Sequence, residues 1–151
     1  MSYQLTPQLM VGFDAEWQHY SQAFHKLVID MKGLPLPPLY LKWKDSYLLA
    51  IGAEYKVTPC FILRTGYSYT SDHVTPGGGL FPYLAATAGN AHNLTAGFGY
   101  KWKNFLIDVG WSHHLDVEGK TKKSFVGRDY DNSTTGFGDN LCVITFSWLY
   151  N

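Results

Sequence analysis

Residues 93–114 read NLTAGFGYKWKNFLIDVGWSHH, and the pattern in that run governs what the chain can become. Leu94, Ala96, Phe98, Tyr100 and Trp102 alternate with Asn93, Thr95, Gly97, Gly99 and Lys101. Beyond Lys103–Asn104, Phe105, Ile107, Val109 and Trp111 alternate with Asp108, Gly110, Ser112 and His114. A period of two sends successive side chains to opposite faces of an extended strand, whereas a helix repeats about every 3.6 residues. The run therefore predicts two antiparallel strands joined by a tight turn at Lys103–Asn104, each with one apolar and one polar face.

The same alternation recurs in four other segments, making about six strands. LMVGFDAEWQHY sets Leu9, Val11, Phe13, Ala15 and Trp17 against Met10, Gly12, Asp14, Glu16 and Gln18, with a possible continuation past Ser21–Gln22 into AFHKLVIDM. SYLLAIGAEYKV sets Tyr47, Leu49, Ile51, Ala53, Tyr55 and Val57 against Ser46, Ala50, Gly52, Glu54 and Lys56. FILRTGYSYT sets Phe61, Leu63, Thr65, Tyr67 and Tyr69 against Arg64, Gly66, Ser68 and Thr70. In NLCVITFSWLY, Cys142, Ile144, Phe146, Trp148 and Tyr150 oppose Val143, Thr145 and Ser147. Tight turns at Thr58–Cys60 and Lys103–Asn104 contrast with long connections over 32–43, 71–91 and 116–139. The fold class is all-β, an antiparallel meander.

Whether the apolar face is a core or a lipid surface is decided by where the bulk lies. Tyr55, Phe61, Tyr100, Trp102, Phe105, Trp148 and Tyr150 gather near the short turns, and Trp17, Tyr47, Tyr67, Tyr69 and Trp111 near the long loops. Two aromatic rows bracketing an aliphatic middle mark the two interfaces of a bilayer. Apolar faces of about ten residues also match the length with which a tilted strand crosses one. Charged residues make up 16% of the chain, below the roughly 25% usual for soluble domains. A soluble sandwich would alternate too, but it has little reason to keep its long loops on one side. The apolar face is read as facing lipid, in an outer-membrane β-barrel whose short turns face the periplasm.

On this reading the polar face lines the barrel, and its charges must be paired or wet. A turn at Thr58–Cys60 places Glu54 opposite Arg64, and the second turn places Asp108 opposite Gly99 with Lys101 diagonal to it. The expected lumen charge network is Asp14, Glu16, Glu54, Arg64, Lys101 and Asp108. Gly52, Gly66, Gly97, Gly99 and Gly110 would leave space along the wall for a passage or a plug.

Other chemistry finds little support. Zero formal net charge gives no electrostatic reason for a nucleic-acid partner. His113 and His114 are adjacent on a strand and point to opposite faces, so no metal site is expected, and neither a cofactor motif nor a catalytic residue is assigned. Ser112 and His114 share a face, leaving an outer-membrane lipid-acting enzyme, phospholipase-like, as the rival from another class. Cys60 and Cys142 are read as two free thiols. No apolar stretch approaches the roughly 20 residues of a spanning helix, and MSYQLTPQLM shows no signal peptide. In the loop SDHVTPGGGLFPYLAATAGNAH, Leu80, Phe81, Tyr83 and Leu84 form a candidate hydrophobic ligand-binding surface. The loop 116–139, with Lys120, Lys122, Lys123 and Arg128 beside Asp129 and Asp131, is read first as a solvated surface loop and second as one able to meet lipopolysaccharide phosphates.

WKDSYLLAIGAEYKVTPCFILRTGYSYT, the loop with Pro that follows it, and HNLTAGFGYKWKNFLIDVGWSHH together resemble the C-terminal half of the FadL/TodX outer-membrane transporters. The shared features are a W-K-D-x-Y opening, a G-x-x-Y strand end, an L-R-x-G-Y return and an L-x-x-G-x-G-Y hairpin. WQHYSQAFHKLVID is similar to that family's W-S-x-F-x-x-L segment, which there belongs to one long strand running above the membrane. The resemblance implies a fourteen-stranded barrel that imports long-chain fatty acids or other hydrophobic compounds by binding and diffusion. It also implies a basic residue ahead of the W-K-D strand, for which Lys42 is the near neighbour as a carboxylate partner. Residues 1–151 would be the C-terminal portion of such a barrel, without signal peptide, hatch or N-terminal strands. The expected partners are outer-membrane lipids and lipopolysaccharide, a hydrophobic ligand, and the missing N-terminal strands or another chain to close the barrel. A truncated remnant with a structural role alone is the third alternative.

Overall fold

The computed structural model describes residues 1–23, 26–27, 30–31, 34–35, 39–40, 43–74, 89–120, 122–123 and 131–148. In chain order the elements are β1 (Ser2–Gln4), β2 (Leu9–Gln18), the helical turn α1 (Tyr20–Ala23), and the two-residue strands β3 (Lys26–Leu27), β4 (Asp30–Met31), β5 (Leu34–Pro35) and β6 (Leu39–Tyr40). The long strands β7 (Ser46–Thr58), β8 (Phe61–Thr70), β9 (Ala91–Trp102), β10 (Phe105–Lys120) and β11 (Thr134–Trp148) follow. One seven-stranded antiparallel sheet runs β1-β2-β7-β8-β9-β10-β11, and it is open: β1 and β11 are its edges.

Glu54 faces Arg64 across β7–β8, where the turn closes on Thr58 and Phe61 and a register shift between Lys56 and Thr58 sets the pairing beyond it. Asp108 faces Gly99 across β9–β10, as the turn at Lys103–Asn104 requires. The β9–β10 turn is made at Lys103, whose φ of 55° lies in the left-handed region, and its ammonium sits 5.5 Å over the Trp102 ring. The pairings Phe105–Trp148, Ile107–Phe146, Val109–Ile144 and Trp111–Cys142 put the expected faces of β10 and β11 together.

Three features differ from the sequence expectation. β1 is a further strand, too short at three residues to show an alternation. The first long strand ends at Gln18: the chain makes one helical turn at Tyr20–Ala23, and the described residues beyond it form the antiparallel pairs β3–β6 and β4–β5. The turn is fixed by Asp45, whose Oδ1 accepts the Ser21 backbone N–H at 3.1 Å. Finally, β10 runs past residue 114 to Lys120 and β11 begins at Thr134, ahead of residue 140, their pairing continuing across a register shift between His114 and Val117. Such a bulge adds a residue to one strand and breaks the period of two, which hides the continuation from a pattern reading.

The sheet lacks the core of a soluble fold. Among the described residues, Val74 and Val117 are the only buried apolar side chains. The bulk is displayed instead: Trp17, Tyr47, Ile51, Trp102, Ile144 and Phe146 stand on one face, Trp102 at 57% and Phe146 at 74% exposure. A monomeric soluble protein rarely exposes so extensive an apolar patch. Near the short turns, Phe105 meets Trp148 edge-on at 4.4 Å between ring centres and stacks on Trp102 at 6.2 Å. Near the long loops, Trp111 stacks on His113 at 5.7 Å, and the Tyr67 hydroxyl is 2.7 Å from His92 Nδ1. The two aromatic rows thus sit at opposite ends of one apolar wall.

Candidate functional site: the concave wall

The opposite face is concave and built from small or polar residues. Gly12, Gly52 and Gly66 lie side by side in register across β2, β7 and β8, and the same row continues through Thr95, Ser112 and Leu141. At Gly66 a β-carbon would lie 2.8 Å from Thr95 Oγ1, so this row is at its closest approach without side chains. A cavity of about 580 Å³ opens over it, lined by Met10, Ala50, Gly52, Glu54, Arg64 and Ser68 among others. Beside it, a second of about 440 Å³ runs over Gly97, Gly110, Ser112, Leu141, Val143 and Thr145.

Arg64 stands between the two. Its Nε donates to Glu54 Oε2 at 2.9 Å, and its Nη1 donates to Asp108 Oδ1 at 2.6 Å. Glu54 is the direct partner across β7–β8, but Asp108 is two strands from Arg64, on β10. The guanidinium reaches it by lying across β9 where Gly97 and Gly99 carry no side chain. A β-carbon at Gly99 would be 2.7 Å from Asp108 Oδ1 and 3.3 Å from Arg64 Nη1. Lys101 holds the expected diagonal position to Asp108, but Arg64 takes the carboxylate and Lys101 stays outside the triad, one residue before the end of β9.

Asp14 and Glu16 also remain outside it. They lie farther up the same face on β2, where Glu16 accepts a hydrogen bond from Gln18 Nε2 at 3.0 Å. The two serine–histidine candidates prove to be lumen-facing and separately engaged. Ser112 Oγ donates to Asn93 Oδ1 at 2.8 Å, while His114 Nδ1 pairs with Asp139 Oδ1. His113 points the other way, with Nδ1 3.0 Å from Asn140 Oδ1. Lys42, Leu80, Phe81, Tyr83 and Leu84 lie outside the described residues.

Above the wall, at the long-loop end, sits a collar that the alternation could not reveal. His73 packs on Tyr20 at 4.7 Å and edge-on to Trp43 at 4.8 Å between ring centres. Burial there lowers the His73 pKa from its ordinary 6.5, favouring the neutral ring, against the opposing pull of Asp72. Asp45 lies 3.6 Å from His19, and its pKa is lowered, chiefly by hydrogen bonding from the Ser21 side chain. Ser46, fully buried, donates to the Ser71 carbonyl at 2.6 Å, and Val74 is fully buried, its backbone N–H donating to Asp72 Oδ1 at 2.8 Å. The W-K-D triplet at Trp43–Asp45 thus leads into β7 and ties it to α1 and to the residues that follow β8.

Comparison with known proteins follows the same lines. Residues 1–144 match the family described as outer membrane protein transport protein (OMPP1/FadL/TodX). No curated protein matches the chain. Among solved structures, a Pseudomonas aeruginosa FadL homologue is similar with a TM-score of 0.66 and 20% identity, over 96% of this chain and 32% of that one. The P. putida toluene transporter TodX is similar with a TM-score of 0.66 and 17% identity, over 99% of this chain and 33% of that one. The chain therefore spans about a third of the length of these two proteins. With its inverted sheet and this match along nearly its whole length, the chain belongs to the FadL/TodX family of transport proteins, β-barrels of the Gram-negative outer membrane.

Proposed function

We propose that the chain forms the C-terminal portion of a FadL-like barrel through which hydrophobic compounds cross the outer membrane by binding and diffusion, without chemistry. The observation that carries this is the pairing of faces on one sheet: an apolar wall with aromatic rows at both ends, backed by a concave, glycine-lined wall with cavities of about 580 and 440 Å³. The open edges at β1 and β11 fit a sheet that other strands complete, because unpaired backbone groups in lipid are costly. Long-chain fatty acids are one ligand class for such a barrel and neutral hydrocarbons another. Leu80, Phe81, Tyr83 and Leu84 are proposed as the capture surface in the long loop, and Lys42 as a carboxylate contact.

The test is uptake of labelled hydrophobic compounds by cells that lack their own such channels, with and without the barrel that carries this chain. Faster uptake with the barrel, unaffected by energy poisons, is the expected result. Equal uptake across a range of hydrophobic compounds would reject the transport reading.

A further inference from the structure

On the apolar side of the sheet a histidine stands beside the long-loop aromatic row on three strands: His19 just past β2, His92 on β9 and His113 on β10. His19 stacks on Trp17 at 4.7 Å between ring centres, and His113 stacks on Trp111 at 5.7 Å with the rings 4° from parallel. His92 lies 5.2 Å from Tyr69, its partner across β8–β9, and its Nδ1 meets the Tyr67 hydroxyl. The histidines keep one level. Trp111 shares a rung with Val11, six residues before Trp17, and His113 shares one with Phe13, six before His19. His92, on the rung of Ala15, is four before His19. Strands about 4.8 Å apart that rise about 3.3 Å per residue hold a level line at a tilt of about 45° when the register slips about 1.5 residues per strand. Six residues over the four steps from β2 to β10 is that slip. The histidines therefore run parallel to the aromatic row, two residues nearer the loops and about 5 Å higher along the barrel axis.

That level lies just beyond the aromatic belt, where lipid headgroups begin. His92 Nδ1 is engaged by Tyr67, and His113 Nδ1 lies 3.0 Å from Asn140 Oδ1, which leaves Nε2 of both rings without a hydrogen-bond partner among the described residues. The two are diagonal neighbours on β9 and β10, within reach of one group placed between them. Carboxylates stand apart from this pair: Asp45 lies 3.6 Å from His19, Asp139 pairs with His114 on the opposite face, and Glu118 is beyond the bulge on β10.

We infer that His92 and His113 form a phosphate-binding site on the outer wall of the barrel, taken by the phosphorylated headgroup of the outer-leaflet lipid, the lipid A of lipopolysaccharide. Phosphate oxygens accept from the two Nε2–H groups, a charge-assisted contact, while the aromatic row below meets the acyl chains. Long loops face the cell exterior, so the lipid met at this end is lipopolysaccharide. The short-turn row is built differently, with the Lys103 ammonium over Trp102. The site is independent of what the barrel carries.

The experiment titrates the purified complete barrel, in detergent at about pH 6, with fluorescent lipid A that carries its phosphates or has been stripped of them by phosphatase. Wild-type protein should bind the phosphorylated form roughly tenfold more tightly. His92→Phe/His113→Phe keeps the rings and their stacking but removes the nitrogens, and should cut that preference to about threefold or less, with binding of the stripped form unchanged. Each single variant should fall between and serves if the double variant does not assemble, as judged by gel mobility with and without boiling. Phosphatidylglycerol at equal concentration should fail to displace lipid A. Equal wild-type binding of the two forms overturns the inference. So does an assembled variant that keeps the full preference, which would put the phosphates on the loop lysines. Displacement by phosphatidylglycerol overturns the assignment to the outer-leaflet lipid.

Discussion

Asp108 meets Arg64 at 2.6 Å although an entire strand, β9, runs between the strands that carry them. The contact exists because β9 presents glycine at the two positions the guanidinium crosses, Gly97 and Gly99. Backbone spacing sets the distance between neighbouring strands at about 4.8 Å, so a side chain spanning two gaps must be long and must find nothing in its way. Arginine supplies the reach and glycine the clearance.

Adding a methyl group along that crossing tests the account. Gly99→Ala should displace Asp108 or Arg64 and cost about 1–2 kcal/mol. Gly97→Ala should cost more, since its β-carbon would fall 2.7 Å from the Val109 carbonyl oxygen, which cannot swing away. Gly110→Ala, with nothing within 4 Å, should be close to neutral. Reversible denaturant unfolding of the complete barrel in lipid vesicles ranks the three, and any other order would reject the packing argument.

Removing Arg64 should be worse than removing either partner. Arg64→Met strands two carboxylates beside each other, whereas Asp108→Asn leaves the Glu54 pair intact. Arg64 is 43% exposed, so solvent screens the loss, and a destabilisation of about 1–2 kcal/mol is expected in place of the larger cost of breaking a fully buried pair. The same unfolding measurement reads it.

The two faces should respond oppositely to charge. Val109→Arg, on the lipid wall midway between the aromatic rows, should cost about 2–4 kcal/mol. Thr145→Arg, one strand over but on the concave face, should cost less than about 1 kcal/mol. If the two are equally harmful, the assignment of faces is wrong.

The collar should loosen in acid in two stages. His73 has a lowered pKa, so the folded state takes up its proton later than the unfolded one. Its contribution is present above the ordinary value of 6.5 and is lost as pH falls below it. Asp45 has a lowered pKa as well, and its contribution is lost only as pH falls below 3.8. Amide hydrogen exchange over residues 43–46 and 71–74 should show protection falling first below pH 6.5. His73→Leu should abolish that first stage and leave the second.

The legibility of this fold in its sequence was uneven, for physical reasons. Where one face meets lipid and the other a polar interior, the period of two is enforced at nearly every position, so the long strands and the Glu54–Arg64 register could be read from turns and alternation. Asp108 could not be joined to Arg64 that way, because pairing arithmetic reaches only adjacent strands. The row of Gly12, Gly52 and Gly66 likewise emerges only once two registers are combined. Alternation fails altogether at the bulge near His114–Val117, at the three residues of β1, and at α1, where aromatic packing and an aspartate acceptor set the backbone.

The odd number of strands in the sheet bears on what can close it. With seven antiparallel strands, β1 and β11 point the same way. Bending the sheet round on itself, or setting two copies about a common axis, would bring those edges together as parallel ladders, whose slanted bonds are the weaker kind. An all-antiparallel closure needs an odd number of added strands, both outermost ones running opposite to β1 and β11. A second copy of the sheet meets that condition only when it is inverted, with its long loops on the side of the first copy's short turns; two copies inserted the same way round cannot complete such a barrel.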